Sequence, residues 1–205
     1  MGFTSLTERQ LDALREIGNV GMGHAATALS RLTGKTVYLN VPRVMVLDTA
    51  RIPEFLGETQ RLVAGIHLRM LGNAQGNILM VFPLENATKM LETLIPRKPA
   101  AGETLTELEL SALKEVGNIL ASAYLNALGE LLRMPLLPSV PVMSIDVVGT
   151  VVEQALAEFG EAGGKTLLLE TEFFSSDERV NSQFFLFPDR SSLEVILTTL
   201  GIGKP

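Results

Sequence analysis

Apolar and polar positions follow two periods along this 205-residue chain, and each period returns in its second half. Thr7-x-x-Gln10 has the form of a capping box. Behind it Leu11, Leu14, Ala25, Leu29 and Leu32 recur at helical spacing, which predicts a helix from Thr7 to Gly34, a residue suited to the left-handed turn after a C-terminus. KTVYLNVPRVMVLD is rich in β-branched residues and interrupted by Pro42, so a strand with a bend or an edge position is expected. Ile52 to Leu56 reads as a short helix. RLVAGIHLRML and GNILMVF flank the turn-like GNAQG and predict a hairpin, after which Leu84 to Ile95 returns to helical spacing.

IPRKPAAGE, with Pro96 and Pro99, breaks the pattern and reads as a linker. The chain then repeats itself. Thr106-x-x-Glu109 is a second capping box, and a long helix is expected to about Arg133. PVMSIDVVG predicts a strand, VVEQALAEF a short helix, and Gly163-Gly164 a turn. KTLLLETEFF and NSQFFLF form a second hairpin signal across SSDERV, and Asp189 to Leu200 a closing helix. Phe82-Pro83 and Phe187-Pro188 precede the last helix of each half. Such self-similarity predicts one domain, 1–205, made of two repeats at about 1–98 and 99–205. The expected fold is α+β: a tandem pseudo-two-fold repeat, mainly antiparallel sheet packed against long helices.

The polar side of the two long helices carries the candidate chemistry. Asp12, Glu16 and Asn19 recur as Ser111, Glu115 and Asn118, each 99 positions on. At about 100° per residue, Glu16 lies at about 40°, Asn19 at about 340° and Gly23 at about 20° from Asp12, one narrow stripe. Ser111, Glu115, Asn118 and Ser122 repeat it. Leu14, Ala25 and Leu32, and in the second helix Leu113, Tyr124 and Leu131, fall on the opposite side. Residues three apart are neighbours on a helix, so glutamate and asparagine can touch one object together. Asparagine and glycine are poor interior helix residues. Gly18 and Gly21 fall on the apolar side, where close packing accounts for them, and Gly117 adjoins Asn118 in the second helix. Gly23 falls on the polar stripe, where a missing side chain lets a partner's backbone approach. Glutamate seeks a cation, and asparagine offers a donor and an acceptor in one plane, able to hold a water at a set angle but unable to act as a base. No nucleophile or base stands beside the stripe in a catalytic arrangement, so it reads as half a site completed by another molecule.

Composition narrows the field. Hydrophobic residues at 46% are enough for a proper core. The formal charge is −6, and no cluster of Lys and Arg exists to displace counterions, which argues against nucleic acid and against an anionic membrane surface. Cysteine is absent, which removes disulfides, thiolate metal sites and cysteine nucleophiles. MGFTSLTERQ lacks the form of a signal peptide and no apolar run approaches the length of a membrane span, so a cytoplasmic location and no membrane insertion are expected. His24 and His67 stand singly and read as structural. GNVGMGH lies inside a helix and not after a strand, so it is no phosphate-binding loop.

At Asp12, Glu16, Asn19 and again at Ser111, Glu115, Asn118 the chain resembles the CheC family of bacterial and archaeal chemotaxis, whose signature is Asp or Ser, three residues, Glu, two residues, Asn. The resemblance covers essentially the whole chain. It implies a CheC-like fold and a phosphatase acting on the aspartyl phosphate of the response regulator CheY. Asn19 or Asn118 would orient the attacking water, and Glu16 or Glu115 would pair with the regulator's active-site lysine. Asp12, Gly23, Ser111 and Ser122 would flank the contact. The protein would need no cofactor of its own; Mg²⁺ is expected on CheY. His24 stands where family members often carry Asn, and Ser122 stands where the first copy has Gly23. Many family members also bind the receptor deamidase CheD, here expected through Val151–Phe159. Two other readings stay open: a non-catalytic module of the chemotaxis or flagellar-switch pathway that docks CheY or CheD, and stripes that merely seal a helix–helix contact.

Overall fold

The structure, a computed structural model, describes residues 6–57, 59–95, 105–159, 164–174 and 179–199. Two 26-residue helices dominate it: α1 (Glu8–Thr33) and α4 (Glu107–Leu132). Each starts as its capping box dictates. The Gln10 side chain accepts from the Thr7 N–H, and the Glu109 carboxylate accepts from the Thr106 N–H at 2.6 Å. Each ends in a left-handed residue, Gly34 (φ 66°) after α1 and Arg133 (φ 55°) after α4.

Between and after them run β1 (Tyr38–Asp48), α2 (Ile52–Leu56), β2 (Leu62–Gly72), β3 (Gly76–Pro83), α3 (Leu84–Leu94), β4 (Leu136–Pro138), β5 (Val142–Val147), α5 (Val148–Phe159), β6 (Lys165–Phe174), β7 (Arg179–Pro188) and α6 (Arg190–Leu197). The strands form one sheet in the order β1-β6-β7-β3-β2-β4, with β5 also on β2. Every pairing is antiparallel. The fold is therefore α+β with a mainly antiparallel sheet, as the periodicity predicts. Strands from the two halves of the chain interleave: β1 pairs with β6 of the second half, β4 and β5 pair with β2 of the first, and β3 meets β7 at the centre.

Both faces of the sheet are covered. Along β3, Ile78, Met80 and Phe82 enter the core beneath α1 and α4, while Leu79 and Val81 point the other way, against Ile52 of α2 and Val148, Val151 and Val152 of α5. In β7, Phe184 and Leu186 alternate with Phe185 and Phe187 in the same manner. Strands buried on both faces explain the unbroken apolar runs ILMVF and FFLF. The long helices touch closely where a Cβ added to Gly21 would lie 2.9 Å from Tyr124 Cα. Tyr124 is buried there against Phe184, with ring centroids 5.1 Å apart, and burial pushes its phenol above the usual value.

Several boundaries differ from expectation. PVMSIDVVG yields a strand only to Val147, because Val148 and Gly149 already belong to α5. The three-residue β4, between Pro135 and the break at 139–141, has no sequence signal of its own. The second hairpin's return strand begins at Arg179, inside the stretch read as its turn. The closing helix is α-helical to Leu197 and continues as a π turn through Thr198 and Thr199; Leu200 lies outside the described residues. Leu32 and Leu131, expected on the apolar side, are 61% and 38% exposed; in the last turn of α4 the buried leucine is the neighbouring Leu132. The linker beyond Ile95 and Gly163 lie outside the described residues.

Candidate functional site

The stripe faces outward on both helices. Asp12, Glu16 and Gly23 are exposed on α1 with Asn19 half-buried, and Ser111 and Glu115 are exposed on α4 with Asn118 and Ser122 half-buried. The glycines on the other side hold the helices against their neighbours. A Cβ on Gly18 would sit 3.1 Å from Val41 Cγ2, and one on Gly117 would sit 2.7 Å from Ile66 Cγ2. A Cβ on Gly23 would meet nothing within 4 Å. Packing thus accounts for Gly18, Gly21 and Gly117 and leaves Gly23 unaccounted for.

Asp12 is paired with Arg15 at 3.1 Å, one turn along the exposed helix. Glu16 and Glu115 have no ion pair among the described residues. An exposed carboxylate without a partner keeps its charge for an incoming cation.

The two asparagines differ. Asn19 Oδ1 accepts the Val41 N–H at 2.8 Å, and its Nδ2 points at the Val41 carbonyl at 3.5 Å. Val41 sits in the irregularity of β1, where the register against β6 shifts between Asn40 and Arg43. Pro42 lies inside that shift and supplies no N–H to the ladder. Asn118 makes no side-chain hydrogen bond to another described residue. Sequence reading placed Asn19 on the stripe but missed Val41. The available signal was Asn19's place at the stripe's edge together with the bend announced by Pro42.

His24 is exposed and shares a shallow groove with Asn126 and Glu130 of α4 and Arg133 just after it, while His67 lies on β2. Among the described residues no group of three or more His, Cys, Asp or Glu is placed to hold a metal ion, and no helix is long and apolar enough to cross a membrane. The stretch 151–159, expected to meet CheD, lies in α5. Val151, Val152 and Ala155 face the core there, and Glu153, Gln154 and Ala157 face out.

What the stripes can do chemically is limited. They can present an anion and a planar amide to a partner, and α1 and α4 hold those groups on rigid supports. Their serines, Ser111 and Ser122, make no hydrogen bond to a base among the described residues, so neither hydroxyl is activated as a nucleophile.

Comparison with known proteins points the same way. The CheC-like family matches residues 10–46 and 108–145, two blocks that contain the two motifs. CheY-P phosphatase CheC of Bacillus subtilis (strain 168) is 35% identical over 203 residues, spanning 97% of each chain. Putative CheY-P phosphatase CheC1 of Halobacterium salinarum is 24% identical over 91% of this chain and 93% of its own. Thermotoga maritima FliY has the same fold, with a TM-score of 0.80 at 18% identity over 98% of this chain and 100% of that one.

Proposed function

The chain belongs to the CheC-like family, and on that premise we propose that it is a phosphatase releasing phosphate from the aspartyl phosphate of the response regulator CheY. The observation that carries this reading is the pair of outward stripes, each a glutamate without an ion pair among the described residues and an asparagine one turn on, with no base bonded to a stripe serine. A B. subtilis relative of nearly equal span bears the name CheY-P phosphatase, which supports the same reaction here.

The regulator supplies the electrophile and, with it, the magnesium ion. Glu16 or Glu115 meets the regulator's lysine. In water such a pair is worth under about 1 kcal/mol, and it gains weight once docking excludes solvent. The asparagine amide then aims a water along the line of attack. The water oxygen forms the new bond to phosphorus as the aspartyl P–O bond breaks, leaving a free carboxylate on the regulator, inorganic phosphate and a proton released to solvent. Positioning of this kind lowers a barrier without any proton moving through the asparagine.

The test is phosphate release from phosphorylated CheY by a variant carrying both Asn19→Ala and Asn118→Ala. Release should fall to the regulator's own rate while the two proteins still associate. Unchanged release by the double variant would leave the protein a binding module.

A further inference from the structure

The two motifs carry the same residues in different states, and the strand beside each explains why. Ninety-nine positions on from β1 the chain reaches 137–147, which β4 and β5 cover with a break at 139–141. Pro42 recurs as Pro141 and Val41 as Val140. In the first repeat the strand runs on through its irregularity, and Val41 is turned inward at 1% exposure. In the second the strand parts. Ser139 exchanges hydrogen bonds with the Arg69 backbone, its N–H to the Arg69 carbonyl and its Oγ accepting the Arg69 N–H, each at 2.9 Å. Val140 beyond it is 84% exposed.

The amide of Asn19 therefore has a backbone group to hold, and the amide of Asn118 has none. Accepting the Val41 N–H at 2.8 Å, with Nδ2 aimed at the Val41 carbonyl, turns both ends of the planar amide toward β1 and takes one of the two acceptor sites of Oδ1, so the plane is not free to aim a water outward. Releasing it leaves the Val41 N–H without a partner, which holds the open form down by about five- to a hundredfold.

Resting on the phosphatase reading above, in which an asparagine aims the water, we propose that the first motif is closed at rest by the Val41 backbone and that Asn118 is the amide that does most of the work. Val41 is then a positioning residue for Asn19. Access to the first motif requires the β1 irregularity to give up its hold.

The conservative variants separate a catalytic amide from a structural one, because a carboxylate still accepts the Val41 N–H but no longer offers an amide donor. Steady-state release from phosphorylated CheY is measured for the full chain carrying single changes. Asn118→Asp should lower kcat by about tenfold or more with little change in KM. Asn19→Asp should lower kcat far less than Asn118→Asp does, and should retain hydrogen-exchange protection at the Val41 amide, whose N–H the carboxylate still accepts. Asn19→Ala should cost far less release than Asn118→Asp, lower the melting temperature by about 2–4 °C, and abolish hydrogen-exchange protection at the Val41 amide. Loss of kcat in Asn19→Asp as large as in Asn118→Asp would overturn the proposal while leaving the phosphatase intact as a reading. Full release by the variant lacking both amides would remove that reading, and this inference with it.

Discussion

A methyl group built onto Gly23 would touch nothing within 4 Å, and the position lies inside α1, where glycine costs about 1 kcal/mol against alanine. Gly23→Ala should therefore raise the melting temperature by about 2–4 °C. If the bare backbone serves docking at the first stripe, the same change in an Asn118→Ala background should lower the residual phosphate release. Stability gained with no change in that residual release would make Gly23 incidental to docking. Ser122, its counterpart on α4, is half-buried, so its side chain is partly withdrawn from the second stripe. At this scale much was legible. The wheel placed Glu16, Asn19, Glu115 and Asn118 on one side and Gly18 and Gly21 on the other, because both follow from 3.6 residues per turn. The grip of Asn19 on Val41 was not legible, since it joins residues 22 apart through a fold that no local pattern announces.

The ends of the two long helices show how the same element is built with different residues. Gly34 takes its left-handed conformation freely, whereas Arg133 holds φ 55° with a Cβ that opposes it and is the sole non-glycine at positive φ among the described residues. Arg133→Gly should stabilise the protein by about 1 kcal/mol, read as a higher urea midpoint at unchanged slope. A lower midpoint would mean that the exposed side chain, beside Glu130 and His24, contributes more than the strain removes. Element types were readable where the period was long and capped, as in α1 and α4. They were unreadable where a strand was short and hemmed by prolines: Pro42 gave away the irregularity of β1, but LLP between Pro135 and the break carries no alternation long enough to mark β4.

At the scale of the whole molecule the repeat is evident in sequence, but its interleaving is not. Internal similarity says that two halves are alike and nothing about which edges they exchange. Here each half keeps a hairpin of its own, β2–β3 or β6–β7, and gives the remaining strand material to the other half. A fragment 1–98 would lose β6 from β1, β7 from β3, and β4 with β5 from β2. It would also uncover the face of α1 that Gly21 presses on Tyr124. Unpaired edges and an open apolar face are not a stable end state for a small chain. Neither 1–98 nor 99–205 alone should therefore give a dispersed amide spectrum and a cooperative melt as a monomer. The two fragments mixed should recover both, together with phosphate release, because every broken contact can re-form between chains. A monomeric half that melts cooperatively would show that the exchanged strands are not needed to hold α1 and α4, and with them the stripes, in place.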